Sequence, residues 1–517
     1  TPPPNFKTWI DRKMYIVLPV RLTFNSAGNG NPILRAGYDA PRAYPISSAT
    51  STLSVSINNT AVSINLADVI QGLLRFNTGQ QLKEHEYSMT PSALDMSQEY
   101  LDLVGSIKNP LAQYGDSNQD SVSNRGGFSN YFIVTNTPTQ AIIDCIFVEP
   151  IFLSPFYWGC GNATAFINVQ DMAWNFTFVN NVAARMWSHS RGGSLAPAAI
   201  SSSSAQFNNF SGPAFHYGSI VPQLLFNYIS PQELQHIPAS LTYSYFDVAR
   251  YFSDFSAIAP NAVATLVSNT IVLQSIPRRI YVWARNSNAI LNSLDGQSYT
   301  DTFLSVQQFN PMQVSWNNYN GTFSNATAWD LYKMSVKNHC NLSWSQWSGG
   351  PVYANGSITN QIGTVGSPIC IEMGTDIGLK DTEAPGMLGQ YQFQVSLNVV
   401  NTNQTSSITP TLVVCVVSEG TFTIIDNRSI SQIGVVSAQD VLDAKQHLSD
   451  YVDYENVQEV NGGNFLSGLK KFGHNLFEGI REAAQKAYQF GKKAYPYVKK
   501  AVEVASTAAK LAPLLGL

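Results

Sequence analysis

A chain of 517 residues is too long for a single hydrophobic core and suits two large domains with an extension. Hydrophobic residues make up 44 % and aromatics 12 %, while charged residues make up only 12 %, about half the level of an ordinary soluble domain. That balance excludes a body of long salt-bridged helices; the Ser, Thr, Asn, Gly and Pro that replace the charges favour short strands joined by turns.

In chain order, Met14-Tyr-Ile-Val-Leu18 is a dense apolar run, the pattern of a strand covered on both faces, and Ser26-Ala-Gly-Asn-Gly-Asn-Pro32 follows it as a turn. Leu53-Ser-Val-Ser-Ile57 alternates with the period of a half-buried strand, and Ala67 to Leu74 predicts a short helix. Leu241-Thr-Tyr-Ser-Tyr245, Met312-Gln-Val-Ser-Trp316 and Tyr391 to Val399 repeat the alternation, and Ile280-Tyr-Val-Trp283 is a second dense run. Thr327-Ala-Trp-Asp330 carries an N-cap and an acidic third residue, which opens a helix through about Asn338. Phe166-Ile-Asn-Val-Gln170 and Phe303-Leu-Ser-Val-Gln307 match each other, and each precedes a Trp-containing strand (Trp174; Trp316). The match suits one architecture used twice, with a junction from Ser230-Pro231 to Ile237-Pro238.

Signs of chemistry are weak. Cys145, Cys160, Cys340, Cys370 and Cys415 are scattered without CxxC spacing, which argues against zinc or a redox pair. Cys415, inside Thr411 to Val417, reads as a buried reduced thiol, and such thiols suit assembly inside a cell. The seven histidines show no ligand spacing; His339-Cys340 is the one His-Cys pair, and no partner base is indicated for it. Glu372 and Asp376 flank Met373-Gly-Thr375 and suit either turn capping or a cation. Neither a basic, apolar leader at Thr1 nor an apolar run of about 18 residues is visible, so the sequence predicts no signal peptide and no membrane span. The expectation is a protein without catalytic residues, metal or cofactor.

From Ser437 the character changes. An acidic segment with Asp440, Asp443, Asp450, Asp453, Glu455 and Glu459 runs to Asn461-Gly-Gly463. From Asn464 onward nine Lys or Arg stand against three Glu, a tail of +6 that leaves −10 for the rest of a chain at −4. Phe465, Leu469, Phe472, Leu476 and Ile480, continued by Ala483, Ala487 and Phe490, form one apolar helical stripe. Lys470, Lys471, Arg481, Lys492, Lys493, Lys499 and Lys500 are the candidate basic contacts. Three readings stay open: a helix packed on the protein, a helix lying in a membrane interface, and a contact with nucleic acid.

A resemblance rests on an ordered set of pieces between Ile276 and Val400. These are Ile276-Pro-Arg-Arg-Ile-Tyr-Val-Trp-Ala-Arg285, Asp301-Thr-Phe-Leu-Ser-Val-Gln307, Val314-Ser-Trp-Asn317, Asp330-Leu-Tyr332 and Lys337-Asn-His-Cys-Asn341. Ser343-Trp344, Gly366-Ser-Pro-Ile-Cys-Ile371, Asp376-Ile-Gly-Leu379, Glu383-Ala-Pro-Gly386 and Tyr391-Gln-Phe-Gln-Val395 complete the set. Together they resemble the second jelly roll of double jelly-roll major capsid proteins of small DNA viruses, the virophage and Polinton-like type. The first half is similar in style, through Ile237 to Tyr245 at the junction.

The resemblance implies an all-β fold of two consecutive eight-stranded jelly rolls, with short inserted helices and a C-terminal helical tail. The expected division is 1–235 and 236–436 for the two jelly rolls, 437–463 for an acidic helical linker and 464–517 for the basic tail. It implies a virion protein that associates as homotrimers with a pseudo-hexagonal footprint, tiles an icosahedral shell and meets minor capsid or penton proteins. Related viruses encode a cysteine protease, which makes Gly462, Gly463 and Asn464 a candidate processing site and the tail a candidate for release inside the particle. Two competing readings remain: a secreted β-sandwich that binds carbohydrate, suggested by aromatics, Asn and Asn-x-Ser/Thr triplets, and a minor or penton capsid protein.

Overall fold

The structure is a computed structural model, and it describes residues 9–34, 40–76, 131–156, 165–188, 199–207, 221–229, 240–291, 301–317, 319–354, 357–362, 365–380, 382–402, 407–425 and 428–434.

The first half is built from β1 (Tyr15–Ser26), β2 (Thr50–Ile57), β3 (Thr60–Ile64), β4 (Tyr131–Asn136), β5 (Gln140–Pro150), β6 (Met172–Phe178), β7 (Ile200–Gln206) and β8 (Gln223–Leu225). Among the described residues three α-helices punctuate it: α1 (Pro45–Ala49), α2 (Leu66–Leu73) and α3 (Val182–Met186). One antiparallel sheet runs β7-β1-β5-β4, with β8 following β7 along the same edge of β1; the other runs β3-β2-β6.

The second half holds β9 (Ser240–Asp254), β10 (Val263–Val267), β11 (Ile271–Ser275), β12 (Arg279–Asn286), β13 (Ser305–Val306), β14 (Met312–Trp316), β15 (Tyr319–Thr322), β16 (Ile369–Glu372), β17 (Leu388–Val400), β18 (Pro410–Ile425) and β19 (Arg428–Ile433). The longer of its described helices are α4 (Ala328–Lys337) and α5 (Trp344–Ser348). One sheet is ordered β9-β18-β12-β16, and β19 continues the edge of β18 that β12 leaves. The other is ordered β10-β17-β14-β15, with β11 extending β10 and β13 preceding β14 along opposite edges of β17. Segments that share an edge act as one row, so each sheet has four rows and the pair makes the eight of a jelly roll.

The strands form where the alternation predicts them. In β17, Tyr391, Phe393, Val395, Leu397 and Val399 are all buried, and the residues between them face outward. The Met14 to Leu18 run departs from the expectation: Tyr15 and Val17 are half-buried, so β1 has one covered face and one partly open one. The run β12 meets it, with Ile280 through Arg285 all buried. α4 begins on the predicted capping box, Thr327 Oγ1 accepting from Asp330 N while Asp330 caps Thr327 N, and it ends at Asn338. The matched pentapeptides are buried alike, at Phe166, Ile167 and Val169 and at Phe303, Leu304 and Val306. One apolar cluster passes without a break from Leu18, Val20, Leu53 and Phe147 in the first half to Val282, Val395, Leu397 and Val413 in the second.

Candidate functional site between the two barrels

Because a single core spans both halves, the seam between them sets how the two barrels are held. On the second-half side, alternate residues of β12 point one way: Tyr281, Trp283 and Arg285. They meet residues four apart on α2 and the turn after it. Tyr281 packs edge-on to Phe76 at 5.0 Å, Trp283 lies against Gly72, and Arg285 Nη2 reaches Asp68 Oδ1 at 3.1 Å. The match is metric: four helical residues rise about 6 Å, and two strand residues about 6.6 Å. A helix and an antiparallel-running strand therefore stay in step across all three contacts.

Charge crosses the seam in both directions. Asp68 of the first half receives Arg285 and Arg250 of the second, the latter at 2.6 Å from Asp68 Oδ2. Asp301 of the second half receives Arg185 of the first at 2.8 Å and Arg42 at 3.7 Å. Burial alone would raise the Asp301 carboxyl, but Arg185 and Arg42 overcome it and hold the group below the usual carboxylate range. Burial lowers the Arg285 guanidinium, with Asp68 opposing the shift. Each barrel thus lends one carboxylate to two arginines of the other.

A third contact forms around Phe166. Tyr243 of β9 donates its hydroxyl to Ala165 O and accepts from Ile167 N, each at 3.1 Å. The Phe166 ring meets Tyr243 at 5.0 Å and Phe422 at 6.5 Å. The buried Arg12 guanidinium lies 5.1 Å from the Tyr243 ring centre and donates to Pro155 O at 2.9 Å. Further bonds tie Phe246 N to Ser154 Oγ, Asn341 N to Arg75 O, and the Thr60 hydroxyl to Ser429 O.

The chemistry sought in the sequence takes structural forms here. Cys340 is buried, which pushes its thiol up to about 11 and leaves it unsuited as a nucleophile, and burial lowers the neighbouring His339. Asp376 Oδ2 accepts from Glu372 N and from Asn338 Nδ2, both at 2.8 Å, which is turn capping, while Glu372 Oε1 binds Arg278 at 2.8 Å. Cys145, Cys340, Cys370 and Cys415 are free and buried. Among the described residues no cluster of three or more His, Cys, Asp or Glu could hold a metal, and no helix is long and apolar enough to cross a membrane. The candidate processing residues Gly462, Gly463 and Asn464, the stripe Phe465, Leu469, Phe472, Leu476 and Ile480, and the basic contacts Lys470, Lys471, Arg481, Lys492, Lys493, Lys499 and Lys500 all lie outside the described residues, as does the junction at 230–239.

Sequence reasoning missed the seam. The available signal was four arginines, Arg42, Arg185, Arg250 and Arg285, in a charge-poor chain, with Arg185 set between Ala184 and Met186 and Arg285 after Ala284.

Comparison with known proteins places this arrangement. The family described as the Sputnik virophage major capsid protein first domain matches residues 3–225, and that described as major capsid protein V20 C-terminal domain matches residues 248–420. A capsid protein of Sputnik virophage is 36 % identical over 481 residues, covering 91 % of this chain and 78 % of the relative. The chain belongs to the virophage major capsid protein family. Its fold agrees with the cryo-EM structure of Sputnik virophage, with a TM-score of 0.75 at 34 % identity, covering 89 % of this chain and 90 % of that one. The crystal structure of the mavirus major capsid protein gives a TM-score of 0.65 at 15 % identity, covering 86 % and 87 %, a likeness of fold. The double jelly roll is therefore the fold of this capsid chain, and its family is one of virion structural proteins rather than enzymes.

Proposed function

We propose that this capsid chain is the repeating unit of a virophage shell, acting as a homotrimer in which three double barrels give a pseudo-hexagonal footprint. The observation that carries the reading is the seam: β12 in step with α2, and two carboxylates exchanged between halves, bind two barrels into one unit of fixed geometry. A lattice tile needs that rigidity, because any freedom between barrels would blur the outline on which tiling depends. The division into jelly rolls at 1–235 and 236–436 is supported by the gap between the two family matches. Light scattering on purified chain tests the assembly: the mass of three chains is expected, and a stable monomer that binds a glycan column contradicts it.

The tail 464–517 is proposed to face the shell interior, where it would either act on a membrane through its stripe or pack inside the capsid, its basic residues then within reach of the genome, with Gly462-Gly463 as the processing point for a viral cysteine protease. The change from an acidic to a basic segment at this Gly-Gly supports the reading. Mass spectrometry of purified particles is expected to find chains ending at the Gly-Gly; intact tails throughout contradict processing. Minor capsid and penton proteins are the further partners proposed at the shell's vertices.

A further inference from the structure

At one end of the second barrel, the β14–β15 turn and the loop between β16 and β17 enclose a cavity of about 230 Å³. The backbone around it is specifically shaped. β15 uses three steps from Tyr319 to Thr322 where β14 uses two from Val314 to Trp316, a bulge of the kind that re-aims side chains at barrel rims. Asn317 stands in the left-handed region at φ 50°, and two bonds pin it there: its N–H donates to Gln392 O, and its Oδ1 accepts from Gln392 N, each at 2.8 Å. Trp316 is held flat on Tyr391, with ring centres 5.5 Å apart and planes within 8°. Tyr319 adds a second lining ring, 60 % exposed. On the other loop Gly378 lines the cavity, and a Cβ there would meet nothing within 4 Å.

The lining carries one charge of each sign. Lys380 Nζ and Glu383 Oε1 stand 4.0 Å apart, the lysine side chain 63 % exposed and the glutamate 12 %. Glu383 is anchored by Lys380 N, which donates to its Oε2 at 3.2 Å. An ion pair this long, with its lysine in solvent, is worth little and is easily parted. A ligand of single charge would leave the opposite member unmatched, whereas a zwitterion satisfies both. Aromatic rings beside a carboxylate suit a bulky ammonium group, and a lysine suits phosphate as a point charge. The cavity also lies where the chain departs toward its tail. A Cβ on Gly434 would lie 2.9 Å from Leu388 Cδ2, and Leu388 shares β17 with Tyr391.

We propose that this cavity binds a zwitterion with a bulky ammonium beside a phosphate, the chemistry shared by a phosphatidylcholine headgroup and free phosphocholine. Tyr319 and Glu383 take the ammonium, and Lys380 turns from Glu383 to the phosphate. The lipid source rests on the interior placement of the tail proposed above; the chemistry of the cavity does not.

Saturation-transfer NMR of the full chain with phosphocholine tests the site, read on the ligand's methyl protons. Binding is expected, with none for a neutral methyl glucoside. Gly378→Leu fills the cavity and is expected to abolish binding, and Glu383→Gln to weaken it about tenfold; thermal unfolding checks that both variants fold. No binding by the unaltered chain, equal binding by both variants, or equal binding of the glucoside overturns the proposal. Flotation with phosphatidylcholine vesicles separates the two sources. Vesicle binding lost in Gly378→Leu supports the headgroup. Phosphocholine binding without vesicle binding through this cavity supports the free compound, and contradicts only the membrane reading on which the lipid source rests.

Discussion

A Cβ on Gly72 would lie 2.5 Å from Cη2 of Trp283. The two residues sit in different barrels, and the glycine is where the indole enters. Glycine inside a helix is otherwise unfavourable by roughly 1 kcal/mol against alanine, so its place in α2 is set by the partner across the seam. Gly72→Ala is expected to gain helix propensity and still lose stability, by about 1–3 kcal/mol from overpacking. Urea unfolding of the variant measures the balance, and Trp283 fluorescence reports the displaced ring.

The exchanged carboxylates give a sharper test of the seam. Asp301→Ala removes the counter-charge of Arg185 and Arg42 in a buried site, and the expected loss is about 3–5 kcal/mol. Asp68→Ala does the same to Arg250 and Arg285 from the other side. Calorimetry of both variants is expected to show the barrels losing cooperativity, with two transitions in place of one. A single unshifted transition would mean that the charges do not hold the halves together.

Tyr243 reports on the seam without touching charge. Tyr243→Phe keeps the ring against Phe166 but strips the hydroxyl from Ala165 O and Ile167 N, both in the other half. A loss of about 1–3 kcal/mol is expected, since the backbone groups stay buried without their partner. Chemical denaturation checks it.

Much of this architecture was legible in the residues. Period-two runs marked β2, β14 and β17, the Thr327 and Asp330 cap marked α4, and the apolar setting of Cys415 marked its burial. These are local properties that neighbouring residues encode. The seam was not legible, because Gly72 and Trp283, or Asp68 and Arg285, are joined only once two barrels have folded and met. Pairings at such separation leave isolated arginines in the sequence but not their partners. Glu149 was hidden for the same reason: it is buried on β5 and accepts from Ile46 N and Ser47 N at the start of α1, over a hundred residues earlier.

Glu149 predicts a pH dependence. Burial raises its carboxyl from 4.5 to about 7, against the pull of its bonds from Ser47 and Ile46. A folded carboxyl that keeps its proton longer than the unfolded one makes stability fall as pH rises through the window from 4.5 to about 7. Glu149→Gln has no such proton to lose. Relative to the unaltered chain, its melting temperature is expected to be higher at pH 8 than at pH 5; an equal difference at both pH values contradicts the assignment.

The proposed unit is a rigid tile of two barrels from one chain that assembles in threes. Electron microscopy of the purified, assembled protein tests this most directly. The prediction is trimeric capsomers with a pseudo-hexagonal outline, six barrels around a threefold axis. Particles that average to single double-barrel chains, or to rings without threefold symmetry, would contradict it.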